Sequence, residues 1–438
     1  MTKYDPMLIE HTPTNHLTSY RVLKYWLRGD ILQNRSEIEK NKYIRKYIVG
    51  HRDDKEKPVA KVFLSRDDED AKELFKSCCK NRDNIEFEFI LQSKEEGDEI
   101  VSEKTNTKTL NTEERKELRK FVRSNTNKIF ATYSTVVLVS ASTDCILICC
   151  LDKTLIPFGE KKLPEFLEGW PCDVREGIPL LNISCNNCKA SKPNSVEAGC
   201  SIGIPSTVNS GSVGFFVEPR KKMHTFECGF LTACHVAIND FDKLYQYNEL
   251  LSESPLGENK HVIVHPSTGD NNIIGEVFES FIGNFGLSGT GLDLAVVKTY
   301  SSPEKGEKET LDVIKEDDLD FGEYITVKKC GNTTGTTFGY LSDCALSVRV
   351  NSPLSSNMLL KFDNCYAVKN IDVPFFKEGD SGAGVFVVQN DGTLKPLGIA
   401  FSSLGPMTIV CKIDDFLDKL DLQIVRYEEN TTESMESV

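Results

Sequence analysis

The stretch Gly379-Asp380-Ser381-Gly382-Ala383-Gly384-Val385-Phe386 decides how this chain reads. An acid, a serine and three glycines stand directly before a β-branched and aromatic run. That composition makes a tight turn presenting one hydroxyl, followed by a buried strand. Glycine is required where the backbone approaches another group closely or takes a positive φ. In such a turn the N–H groups of Gly379 and Ser381 can point the same way, which is what an oxyanion hole needs. Taken alone, the octapeptide is equally compatible with an ordinary β-turn.

Two upstream segments narrow the choice. Phe230-Leu231-Thr232-Ala233-Cys234-His235-Val236-Ala237 follows a strand-like run and sets a histidine among small and apolar residues. Gly291-Leu292-Asp293-Leu294-Ala295-Val296-Val297-Lys298 places an aspartate at the entry of a buried strand. A lone histidine of this kind is usually a satisfied core residue, and a lone aspartate a cap. The order His235, Asp293, Ser381 in these three contexts is that of the chymotrypsin triad, as distinct from the subtilisin and α/β-hydrolase orders.

On these motifs, residues 195–425 resemble the chymotrypsin-like (trypsin-fold) serine peptidases. The resemblance implies an all-β double Greek-key β-barrel catalytic domain and an acyl-enzyme mechanism without metal or organic cofactor. It implies His235 as base, Asp293 as its orienting acid and Ser381 as nucleophile, with the N–H groups of Gly379 and Ser381 as oxyanion donors. By the same resemblance the specificity pocket is expected from Phe375 and Phe376 before the turn and from Phe401 and Ser402 in the strand after it, Phe375 being its floor. No aspartate stands there, so an apolar or small P1 residue is expected. Lys329-Cys330-Gly331-Asn332-Thr333-Thr334-Gly335-Thr336-Thr337-Phe338-Gly339 resembles the strand pair that opens the second barrel in non-zymogen members. Ala198-Gly199-Cys200-Ser201-Ile202 has no basic residue before Ser201 or Ile202, so activation by trypsin-style cleavage is not expected.

The rest of the chain is read from pattern. Residues 1–92 suggest an α+β accessory domain and the expected place for a regulatory partner. Its helices are expected at Ser19–Gln33, Glu37–Val49 and Asp68–Cys78, and its strands at Val59–Leu64 and Ile85–Leu91. Residues 93–110 read as a charged linker. Residues 111–180 read as a small helix-strand-strand module, with Asn111 and Glu114 capping a helix to about Arg123 and strands at Ile129–Ser140 and Asp144–Leu151. From about residue 195 short strands alternate with Gly/Asn/Ser/Pro turns, the spacing of a β-barrel. Ile413–Leu422 suggests a terminal helix, and 426–438 an acidic disordered tail.

Composition bounds the function. The 438 residues carry a net charge of −14, and residues 1–112 hold 21 basic and 21 acidic side chains, so the excess acid lies in the remainder. An acidic body without a basic stripe argues against nucleic-acid binding. The start of the chain has no apolar run of a secretory signal, and the fifteen cysteines, an odd number with adjacent pairs, suit no disulfide framework. Reduced thiols and a location in cytosol or nucleus are expected. Cys185-x-x-Cys188 has no second pair at zinc spacing. Val136–Cys150 is broken by polar residues and reads as two strands rather than a membrane span. The expected function is therefore an intracellular serine endopeptidase acting on protein or peptide substrates. The other class compatible with the sequence is an interaction protein using a protease-like barrel as a binding surface.

Overall fold

The computed structural model describes residues 35–91, 110–181, 196–250 and 261–427, apart from 54, 56, 80–81, 143, 208–209, 222–225, 268–271, 301–307, 320, 322–323, 355–357 and 372. The expected helix at Ser19–Gln33, the Cys185–Cys188 spacing and nearly all of the linker and tail lie outside these residues. The chain divides into two compact units, residues 1–179 with 347–360 and residues 180–346 with 361–438.

In the first unit, helix α1 (Arg35–Lys40) is followed by β1 (Ile44–His51), β2 (Val59–Leu64), helix α2 (Glu69–Cys78) and β3 (Glu86–Leu91). The helix expected over Glu37–Val49 is thus only six residues long. Asn41 ends it: its side-chain oxygen accepts from the N–H groups of Tyr43 at 2.8 Å and Ile44 at 3.3 Å. An Asx turn of this kind competes with helix continuation. β1 pairs antiparallel with β2, and β2 parallel with β3. The parallel pair is joined through α2, whose Asp68 cap accepts from the Ala71 N–H at 2.9 Å. Ile44, Val62, Leu64 and Phe75 pack in one apolar cluster.

Helix α3 (Thr112–Thr132) begins with the expected Asn111–Glu114 capping box. It runs nine residues past Arg123, so Ile129 and Phe130 are helical rather than the start of a strand. The polar residues that resemble a helix break bond backward instead: Ser124 to the Lys120 carbonyl, Asn125 to Phe121 and Thr126 to Val122. Leu118, Val122, Ile129 and Phe130 then fall on one buried face. Next come β4 (Val136–Ala141), β5 (Ile146–Cys150), β6 (Ile156–Pro157), β7 (Phe166–Leu167) and β8 (Trp170–Glu176). β4 is antiparallel and β8 parallel to β5, while β6 pairs with β1. Residues 347–360 belong to this unit: Ser347 and Val348 pair with Val139 and Leu138, and Arg349 donates to the Phe130 carbonyl at 3.1 Å.

The second unit holds β9 (Leu180–Leu181), β10 (Ser201–Gly203), β11 (Ser210–Ser212), β12 (Phe216–Pro219), β13 (Gly229–Thr232), helix α4 (Cys234–Ala237), helix α5 (Phe241–Leu250), β14 (Val262–Val264), β15 (Ile273–Phe285), β16 (Thr290–Thr299) and β17 (Lys308–Leu311). β18 (Ile325–Gly331), β19 (Gly335–Asn351), β20 (Leu359–Asn370), β21 (Gly384–Val388), β22 (Leu394–Leu404), β23 (Met407–Lys412), helix α6 (Asp414–Lys419) and β24 (Leu422–Tyr427) follow. The far end of β19 and the first residues of β20 fall within 347–360. β10, β14, β15, β16 and β13 lie side by side in that order. The β11–β12 run pairs with β10 at one end and β13 at the other, closing six strands into a barrel. A second set, in the order β18-β21-β22-β23-β20-β19, is closed by the pairing of β18 with β19. That hairpin turns at Asn332–Thr334, within the segment expected to open a second barrel. Its interior is apolar, with Val327, Val368, Val385, Leu397 and Val410 in one cluster. Two six-stranded antiparallel barrels in tandem are the all-β class expected from the sequence. Among the described residues no helix is long and apolar enough to cross a membrane.

Candidate active site

His235 sits in the single turn α4, directly after β13. The next strand over, β16, carries Asp293 in register beside it, since Thr232 pairs with Ala295. Asp293 grips the histidine at two points. Its Oδ1 accepts the His235 backbone N–H at 3.0 Å, and its Oδ2 lies 2.6 Å from Nδ1. Both side chains are wholly buried. A carboxylate oxygen accepts hydrogen bonds, so this contact suits Nδ1 as the donor and leaves Nε2 on the far side of the ring. The edge of the Phe241 ring, 6.2 Å away by centroid, closes one side of the imidazole.

Ser381 lies three residues before the second barrel's β21, in a turn that only glycine can shape. Gly379 has φ +89° and Gly382 +94°. A Cβ on Gly382 would lie 2.3 Å from the Thr232 hydroxyl and 2.4 Å from the Ser212 carbonyl. The turn is therefore pressed against β13, three residues before His235. A Cβ on Gly211 would meet both the Ser381 carbonyl and the Val236 side chain at 2.5 Å, which places Ser381 and the neighbour of His235 around one point. The Ser381 Oγ donates to the Phe401 carbonyl at 3.4 Å. Among the described residues the Gly379 N–H donates to no protein acceptor.

Ser212 joins these pieces, and nothing in its sequence context marks it. Its N–H donates to the Ser381 carbonyl at 2.7 Å, and its Oγ donates to the Gly379 carbonyl at 2.8 Å. The Asn332 N–H donates to the same Oγ at 2.9 Å, while the Thr232 hydroxyl donates to the Ser212 carbonyl at 2.9 Å. One serine thus ties the Ser381 turn to the strand before His235 and to the β18–β19 turn.

Asp380 is the other feature that the sequence reading left unassigned. It is fully buried and paired with the equally buried Lys329 at 3.1 Å. It also accepts from the N–H groups of Thr333 at 2.9 Å, Thr334 at 3.1 Å and Lys377 at 3.0 Å, and from the Thr334 hydroxyl at 2.7 Å. Burial lowers the Lys329 ammonium's pKa from its ordinary value, and the Asp380 charge opposes that shift. The segment around Cys200 is committed elsewhere: the Gly199 N–H donates to the Val213 carbonyl at 2.7 Å, and Ile202 pairs with Gly211 inside β10–β11. The cation that neutralises Asp380 comes from within the second barrel.

The expected pocket residues take various places. Phe375 is fully buried in the second-barrel cluster with Leu341 and Val368, and Phe376 is part of the same cluster. The Lys329 ammonium stands 5.6 Å above the Phe375 ring. Phe401 is packed on Phe362 at 4.9 Å, and Ser402 is buried in β22. All three rings lie in the core rather than facing solvent. Cys234, next to His235, is wholly buried, and burial followed by the Asp293 charge pushes its thiol well above the ordinary range. Among the described residues no cluster of side chains could hold a metal ion.

No family model matches the sequence, and no characterised protein matches it at a significant level. Solved structures do resemble it in part. A Nocardiopsis protease is 18% identical with a TM-score of 0.33, Thermobifida fusca protease A 16% with 0.32, and a Cellulomonas bogoriensis chymotrypsin 17% with 0.32. Each match covers 52% of this chain and 98% of the other. The tandem of six-stranded barrels is the chymotrypsin-like fold. That assignment stands on the strand pairings.

Proposed function

We propose that this chain is a serine endopeptidase in which His235, Asp293 and Ser381 act as one unit. The observation that carries the proposal is the two-point, fully buried grip of Asp293 on His235, with the Ser381 turn pressed against the same strand end. A hydroxyl is a poor nucleophile without a neighbouring base. His235 Nε2 takes the Ser381 proton as Oγ attacks a peptide carbonyl, and returns it to the leaving amine. Asp293 keeps Nδ1 protonated and stabilises the imidazolium. The N–H groups of Gly379 and Ser381 bind the oxyanion; a single donor of this kind is worth about 2.7–4 kcal/mol of barrier. Water, activated by the same histidine, then hydrolyses the acyl-enzyme.

Asp380 and Lys329 set the turn without a new amino terminus, so the chain is competent as synthesised. Phe375, rather than an acid, at the expected pocket floor suits an apolar or small P1 side chain. Free thiols at all thirteen described cysteines suit action in a reducing compartment.

The test is peptide cleavage by the intact chain, read by mass spectrometry on a mixed peptide library. The proposal expects new carboxyl termini at apolar or small residues with the native chain and none with Ser381→Ala. Equal cleavage by both proteins would defeat it.

A further inference from the structure

The pairing of β21 with β22 runs from Val388 opposite Leu394 to Gly384 opposite Ile399, and ends there. On its other side β22 stays paired with β23 out to Leu404 opposite Met407. Ala400 still bonds the Ser381 turn, donating to the Ala383 carbonyl at 3.0 Å and accepting from the Gly382 N–H at 2.8 Å, so beyond Ala400 the β21 side of β22 is an open sheet edge. β9 fills it, antiparallel, with Leu181 opposite Ser402 and Leu180 opposite Ser403. The residue just before this pairing is Phe401, whose carbonyl meets the Ser381 Oγ at 3.4 Å. The edge held by β9 is thus the one adjoining the candidate nucleophile.

An unpaired edge invites an added strand, and an extended peptide gains main-chain hydrogen bonds by joining one. A substrate whose scissile carbonyl reaches Ser381 would run along this edge. We propose that β9 is an intramolecular occupant of the substrate-binding edge, and that turnover of peptides requires Leu180–Leu181 to leave it. Leu181 is the anchor, with 7% of its surface exposed. β9 is only two residues long, so a longer peptide can outcompete it. This inference rests on the peptidase reading. It adds a built-in competitor that small reagents evade and extended substrates do not.

The arithmetic is that of a binding site open for only a fraction of the time: an open fraction of about one tenth weakens apparent substrate affinity about tenfold. The test compares the full-length native chain with Leu181→Asp. The expected result is a kcat/KM for an extended peptide substrate that rises about tenfold, mostly through KM, with an unchanged rate of labelling by a small fluorophosphonate. The synthetic peptide Gly-Ile-Pro-Leu-Leu, matching residues 177–181, should inhibit the variant competitively. Unchanged labelling with unchanged peptide turnover overturns the inference alone. Absence of labelling in both proteins overturns the peptidase reading, and the inference with it. Should the variant fail to fold, hydrogen exchange on the native chain decides. A peptidyl phosphonate bound at Ser381 should accelerate exchange at the Leu181 amide, and full protection in that complex overturns the proposal.

Discussion

At the scale of single residues, the account turns on partnership rather than on any one side chain. Asp293→Asn would leave the fold intact but present His235 with the wrong tautomer, and a drop of about 10⁴-fold in kcat is expected. Ser381→Ala and His235→Ala should each abolish most turnover, and the double variant should be little worse than either, because residues acting as a unit do not contribute additively. Additive losses in steady-state kinetics would show that the two are not partners. Lys329→Met leaves Asp380 buried without its cation, which costs about 3–5 kcal/mol in comparable cases. Denaturant unfolding should show that loss, and the labelling rate of whatever remains folded should fall as well. The proposed triad residues were singled out in the sequence because their local contexts are specialised. Ser212 and Lys329 were not: Ser212 sits among ordinary strand residues, and Lys329 reads as a solvated strand lysine. Their partners lie 167 and 51 residues away, and no local pattern encodes such contacts.

At the scale of elements, a succession of short strands from about residue 195 was readable from its alternation with turns, and α2 was expected over Asp68–Cys78. The misreadings share one cause, polar side chains bonding locally to the backbone. Asn41 stops a helix that apolar spacing would continue, while Ser124, Asn125 and Thr126 continue one that composition would stop. β9 was invisible, since two leucines carry no strand signal without the edge they fill. A further element, the turn after β5, is held by charge. Asp152 is 2% exposed and accepts from Lys61 at 2.7 Å and Arg52 at 2.9 Å, besides the N–H groups of Thr154 and Leu155. Burial opposes its charge, but the bonds from Lys61 and Arg52 prevail and hold the carboxyl well below the usual range. An acid whose pKa is depressed by folding contributes stability that is complete above its unfolded value, about 3.9, and is lost as pH falls through the folded one. The first unit should therefore lose thermal stability below about pH 4. Asp152→Asn should start less stable and show a shallower acid decline; an identical pH profile would contradict the role given to this network.

At the scale of the whole molecule, the chain order His, Asp, Ser and the closure of two barrels describe the same object. The first barrel holds His235 and Asp293, and the turn carrying Ser381 leads into the second. The thiols follow from burial. Burial pushes Cys149 and Cys411 up to about 12, where a thiol is neither nucleophile nor ready disulfide partner. Alkylation of the native protein at pH 8 should leave these two unmodified, and alkylation after denaturation under non-reducing conditions should modify all fifteen cysteines. Stable bridges found by mass spectrometry in protein from cells would contradict that expectation. The central claim, that Ser381 is a hydroxyl activated by His235 and Asp293 in the unprocessed chain, is tested most directly by covalent labelling. Intact protein is treated with a fluorophosphonate, and the modified peptide is sequenced. The account predicts one adduct, on Ser381, in the native chain, and none in Ser381→Ala or His235→Ala. An adduct that appears only after cleavage near residue 200, or one of equal yield in His235→Ala, would contradict it.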